Sequence, residues 1–228
     1  MLLCDISWYG RAMPQPLNRT ASPVSPDDVR LAVRLAVAAL SGASDADWDA
    51  LASATEWDCW ETVEHLSDGL FAYAAQLGPE KPPQDGFVPF AWSRTKPGGP
   101  PIALRADRAA GTAGLLQVFE SCGAVLAAMV QTAPAQVRAF HGFGVSDPEG
   151  FAAMAVVEVL AHTHDLAGTL GVAWEPPAEL CDRALVRLFP HAPEGTPRWQ
   201  TLLWATGRAE LPGHPRLGED WRWFSAPR

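Results

Sequence analysis

Cysteine is scarce in this chain and never clustered. The four cysteines, Cys4, Cys59, Cys122 and Cys181, form no C-x-x-C pair and no tight spacing. That argues against a cysteine zinc site or a disulfide framework and for a reducing, cytoplasmic setting. Basic charge is in deficit as well, with Lys and Arg numbering 17 against 26 Asp and Glu, for a net charge of −9. No basic stripe is left to meet a nucleic acid, so no such partner is expected. The acidic excess argues mainly solubility. Long apolar runs are missing too: the longest, such as residues 124–130, fall well short of a membrane span. No basic segment followed by an apolar one marks a signal peptide. The expectation is a protein without a membrane partner, monomeric or homodimeric, that meets a small molecule.

What the chain does have is a core-forming composition, 48% hydrophobic and 19% charged over 228 residues, enough for one good-sized domain with an extension. Residues 1–25 carry no sustained period and read as an arm, poorly ordered. Ser25-Pro26-Asp27-Asp28 opens a helix, with Ser as cap, Pro at the first position and acids in the first turn. An apolar stripe follows to Leu40, and Gly42 ends it; residues 45–54 form a short helix or a turn. Trp57 to Leu77 is a second helix, stopped by Gly78-Pro79. Residues 79–101, rich in Pro and Gly, form a loop long enough to shape a binding site. Residues 107–132 make a third helix, Ala-rich and buried. Asp147-Pro148 opens a fourth, which runs to about Leu170 with Gly171 as its cap. Shorter helices follow after Pro176-Pro177 and from Arg198 to Thr206. The tail, with Trp221, Trp223 and Phe224, is a short strand or a packed arm. The organisation expected is a four-helix bundle over residues 26–171 and a helical extension over 172–228.

The fourth helix holds the chemistry. Glu158 and His162 stand one turn apart, about 40° around the helix, so both side chains reach one point. His164 lies about 240° away and faces elsewhere, whereas Asp165 returns to within about 20° of Glu158. An ionisable pair on so apolar a helix needs partners, because an unpaired buried charge is costly. His65, beside the apolar stripe of the second helix, supplies one. Two imidazoles and a carboxylate leave open positions on zinc, nickel or iron for water and substrate. The plainer reading stays open on the pattern alone: an i,i+4 Glu–His pair is common, and a histidine on an apolar face is usually a satisfied core residue.

The motifs resemble a known family. Trp57-Asp58-Cys59-Trp60-Glu61-Thr62-Val63-Glu64-His65-Leu66 is similar to the W-x-x-x-x-x-V-x-H-L signature of DinB-like metal proteins. Glu158-x-x-x-His162-x-x-Asp165-Leu166 resembles the matching segment of the mycothiol-dependent maleylpyruvate isomerase group. Leu202 to Arg208 resembles that group's segment ending in T-G-R. The resemblance covers about residues 27–210. It implies an all-α, DinB-like four-helix bundle with a small C-terminal appendage. It also implies a divalent metal, commonly zinc, on His65, Glu158 and His162. A thiol such as mycothiol would then be the co-substrate, bound to the metal as thiolate. Arg208 would either hold a substrate carboxylate in a bidentate fork or make a surface or structural salt bridge. Asp165 would either orient His162 or the nearby backbone or serve as a solvated helix-face residue or local cap.

The activity expected is a metal-dependent thiol transferase or isomerase. Two rivals stand beside it: a thiol-independent lyase, hydrolase or cyclase of specialised metabolism, and a non-catalytic ligand-binding or regulatory module. His141, in a glycine-broken loop, reads as solvent-exposed, and His191 and His214 as surface residues. Trp57, Trp60 and Trp92 line either a pocket or the core. Gln117, Glu120 and Ser121 face either the cavity or water.

Overall fold

A computed structural model describes residues 22–53, 55–218 and 221–228. The arm expected over residues 1–25 lies mostly outside them. At its described end Val24 is buried, and its N–H donates to the Glu149 carboxylate.

The capping chemistry sets the helix starts. Ser25 and Asp28 exchange hydrogen bonds in a capping box at the head of α1, Pro26–Leu40. Asp58 and Glu61 do the same for α2, Cys59–Leu77, which moves its start two residues inward from the expected Trp57. Asp107 caps a single 3-10 turn, Arg108–Ala110, and α3 follows as Gly111–Thr132. Asp147 accepts the Gly150 N–H and opens α4, Pro148–Leu170, which Gly171 closes in the left-handed conformation at φ +68°. The remaining helices are α5, Ala178–Leu188, and α6, Arg198–Ala205. Residues 45–53 form turns rather than a helix, and the tail forms no strand among the described residues.

The fold is all-α. The four long helices close a ring in the order α1–α3–α2–α4, and α5 packs on α4 with α6 beyond it. The core runs through this ring, with Phe119, Leu126, Phe151, Met154 and Leu160 fully buried. Where α3 crosses α1, a Cβ on Gly123 would sit 2.7 Å from a Val33 methyl. The helical stretch Arg108–Thr132 is long and apolar enough to cross a membrane, although the short apolar runs suggested otherwise. Here Leu115, Phe119 and Leu126 of that stretch are part of the core.

One face of α2 grips the long loop that follows it. Asp68 accepts the N–H groups of Ala103 and Leu104, and Glu64 accepts that of Ala106. Gln76 donates to the Pro83 and Gly86 carbonyls and accepts the Val88 N–H. The loop is thus fixed across the residues that form a wall beside His65.

Candidate metal centre

The packing of α2 on α4 brings the expected ligands together. One donor atom each from His65, Glu158 and His162 lies within 4.8 Å of the other two. Among the described residues no other trio of His, Cys, Asp or Glu side chains converges in this way. His162 Nε2 stands 3.2 Å from Glu158 Oε2. Two donors on one zinc, each about 2.0 Å from the metal in a tetrahedral arrangement, would be about 3.3 Å apart. The donor set, and the spacing of its His162–Glu158 pair, therefore fit a borderline divalent ion such as zinc. His65 sits under Trp57, ring centroids 4.6 Å apart, and meets the His162 ring edge-on at 5.4 Å.

His65 and Glu158 are in the protonation states that a metal ligand needs, whereas His162 must give up a proton to a cation. Burial pushes His65 down to about 4, helped by the neighbouring His162, so its imidazole is neutral at pH 7. Burial would raise the Glu158 carboxyl. The His162 hydrogen bond and the positive charges of His162, His65 and Arg208 outweigh it and hold Glu158 at about 2. Burial likewise opposes charge on His162, but hydrogen bonds from its ring to Asp165 and Glu158 raise it above its ordinary 6.5.

Behind His162 lies a second layer. Its Nδ1 is 3.0 Å from Asp165 Oδ2, which leaves Nε2 aimed at Glu158. A carboxylate on the rear nitrogen of a ligating histidine fixes its tautomer and its ring orientation. Asp165 is itself fully buried and is held at about 2: burial works against its charge, and His162 and Arg208 overcome it. Arg208, expected to hold a substrate carboxylate, forks onto Asp165, with Nε at 2.9 Å from Oδ1 and Nη2 at 2.7 Å from Oδ2. Its Nη1 donates to the Thr206 carbonyl at 3.3 Å. His164 faces away from the three ligands, against Trp199 at 5.7 Å.

His141 departs from expectation. It is only 9% exposed, not a solvent-facing loop residue. Trp223 of the tail, Phe143 and Phe151 pack around its ring. Its Nδ1 accepts the Phe143 N–H, so the neutral ring carries its hydrogen on Nε2, which points at the Tyr73 hydroxyl 3.4 Å away. Tyr73 lies two turns along α2 from His65 and escaped the sequence reading. Burial and the Glu158 charge push its phenol well above its ordinary value, so it stays a donor. Both Tyr73 and His65 line a cavity of about 170 Å³ together with Phe87, Trp92, Phe140 and Phe151.

The described cysteines take no part. Cys59, Cys122 and Cys181 are free and buried, and burial pushes them up to about 11, 11 and 12, so they are inert thiols. Cys4 is outside the described residues. Gln117 and Glu120 of α3 are exposed and contribute nothing to the cavity wall, and Ser121 bonds back to the Gln117 carbonyl.

No curated protein and no solved structure matches the chain. A family model does, over residues 29–167, a span that holds all three candidate ligands, Asp165, Tyr73 and His141. The chain belongs to the mycothiol maleylpyruvate isomerase N-terminal domain family, a DinB-like metal-binding group.

Proposed function

We propose that this protein is an enzyme that holds one divalent ion, zinc by preference, on His65, Glu158 and His162 and uses it on a small molecule with a thiol co-substrate, mycothiol or a close analogue. The observation that carries the reading is the convergence of three donors from two helices at the rim of a cavity, with no fourth protein ligand among the described residues to close the set. When bound, such an ion lowers the pKa of a coordinated thiol and presents it to an electrophile as an isomerase or transferase requires.

The chain's own residues do the rest. Asp165 keeps the His162 proton on Nδ1, and Arg208 keeps Asp165 ionised and in place. Trp57 packs its ring against His65. On this reading residues 26–171 are the catalytic bundle, and the extension over 172–228 supplies Arg208 and the tail that clamps His141.

Metal analysis of the purified chain tests the core of the proposal. About one equivalent of divalent metal is expected in the natural sequence and a loss of at least tenfold in affinity in His65→Ala. A chain that takes up no zinc, cobalt or nickel in equilibrium dialysis would end this reading. Dependence of turnover on added mycothiol separates thiol chemistry from a Lewis-acid reaction without it.

A further inference from the structure

The cavity beside His65 is short of polar partners for an occupant. Asp68 and Gln76 are on its wall; the Gln76 amide is spent on the loop it holds, and Asp68 Oδ1 accepts two of the loop's N–H groups. No lysine or arginine lines it, and the nearest guanidinium of the site, Arg208, is forked onto Asp165. The rest of the wall is glycine, alanine, proline, the His65 imidazole and five aromatic side chains, Tyr73 among them. Phe87 meets both Trp92 and Phe140 edge-on, at 5.9 and 5.0 Å, which leaves a slot walled by rings. The slot is open to solvent on its Phe87 and Trp92 side, and its volume of about 170 Å³ is on the scale of a single six-membered ring.

One hydrogen in this wall is unspent. His141 Nε2 donates to the Tyr73 oxygen, and among the described residues no acceptor takes the hydrogen of the Tyr73 hydroxyl. A phenol that accepts from a fixed imidazole is left with one donor to offer, and the cavity is the space it lines.

We propose that the substrate of this site carries an uncharged ring-sized apolar group that fills the Phe87–Trp92–Phe140 slot and an oxygen acceptor that takes the Tyr73 hydrogen bond. This rests on the enzyme reading above and sharpens it. A carboxylate in the slot itself, away from the proposed ion, would lie in a wall that holds the Asp68 carboxylate and no lysine or arginine, so the slot disfavours an anion. Tyr73 is the group that touches the substrate, and His141 is a positioning residue that aims it.

Three small probes test this in the full-length chain, with binding followed by protein-observed NMR. Acetophenone has the ring and the acceptor; α-methylstyrene has the same outline without the acceptor; benzoate adds a charge. Acetophenone and α-methylstyrene are expected to bind and benzoate to bind at least tenfold more weakly than acetophenone. Tyr73→Phe is expected to weaken acetophenone about fivefold, the worth of one neutral hydrogen bond, and to leave α-methylstyrene within about twofold, which also reports an intact slot. His141→Gln, which removes the aim but not the phenol, is expected to weaken acetophenone alone. Equal binding of benzoate, loss of both neutral probes in Tyr73→Phe, no effect of that substitution on acetophenone, or no binding at all overturns the proposal. Zinc binding is measured in the same samples. Zinc uptake with no probe binding sinks the slot and spares the metal centre; probe binding without zinc uptake does the reverse.

Discussion

Asp165 is the residue on which the proposed metal centre turns, although it is not one of the proposed ligands. It accepts from the rear of His162, takes both arms of the Arg208 fork, and its main-chain carbonyl receives the N–H and hydroxyl of Ser53. If its chief work is to orient His162, then Asp165→Asn, which keeps the shape and removes the charge, weakens zinc binding by 10- to 100-fold. Competition against a chelator of known affinity measures this. An unchanged affinity would reduce Asp165 to an anchor for Arg208. Much of this was legible in the sequence, because Glu158, His162 and Asp165 share one helix and elementary geometry puts them on one side. His65 was a candidate on its apolar stripe, and the family motif raised it from there. His141 was misread because its flanking glycines suggest an exposed loop, whereas its burial comes from Trp223 at the other end of the chain. The available signal was the alternation of aromatics around it, which needs a partner to pack on. Tyr73 had a plainer signal, a tyrosine two turns from His65 on the same helix.

Helix positions follow the caps, and helix contacts follow the small residues. The starts of α1, α2 and α4 are set by Ser25, Asp58 and Asp147, each bonded to the backbone N–H three residues on. Two of these starts were read directly from Ser-Pro and Asp-Pro pairs. The start of α2 was placed two residues early, because Trp57 continues the apolar pattern while Asp58, with Glu61 behind it, takes the cap. What no single-helix pattern could show is which helices touch. Gly123 is the clearest case: a methyl group there would press on Val33 across the α1–α3 contact. Gly123→Ala is therefore expected to destabilise by about 1–3 kcal/mol, the usual cost of overpacking a tight core, although alanine is the better helix former. Val33→Ala in the same chain should recover part of the loss by vacating the space. Denaturant midpoints of the two single variants and the double variant decide it; strictly additive losses would mean that the two side chains do not meet.

At the scale of the whole molecule, the site is held from three directions, and acid should loosen it in a defined range. The bundle supplies the ligands, the loop after α2 supplies the slot, and the tail clamps the loop that carries His141. That last clamp is apolar, with Phe143, Phe151 and Trp223 around the imidazole, and burial pushes His141 down to about 4. In the unfolded chain the same ring titrates near 6.5. Between those two values the unfolded state binds the proton and the folded state does not, so stability is complete above 6.5 and declines as the pH falls toward 4. A gap of that size is worth on the order of 3 kcal/mol. His65 is pushed down in the same way and adds to the slope in the metal-free protein. The natural chain without metal should therefore lose denaturant resistance steadily from pH 6.5 to 4, and His141→Gln, which cannot titrate, should show a visibly shallower decline over the same range even if it starts from a lower stability at pH 7. Chemical denaturation at pH 7, 5.5 and 4.5 gives both slopes. Identical slopes would mean that His141 takes up its proton without leaving the Trp223 clamp. Added zinc should flatten the His65 part alone, because a bound ion keeps that imidazole unprotonated and leaves His141 as the remaining acid-sensitive joint between tail and bundle.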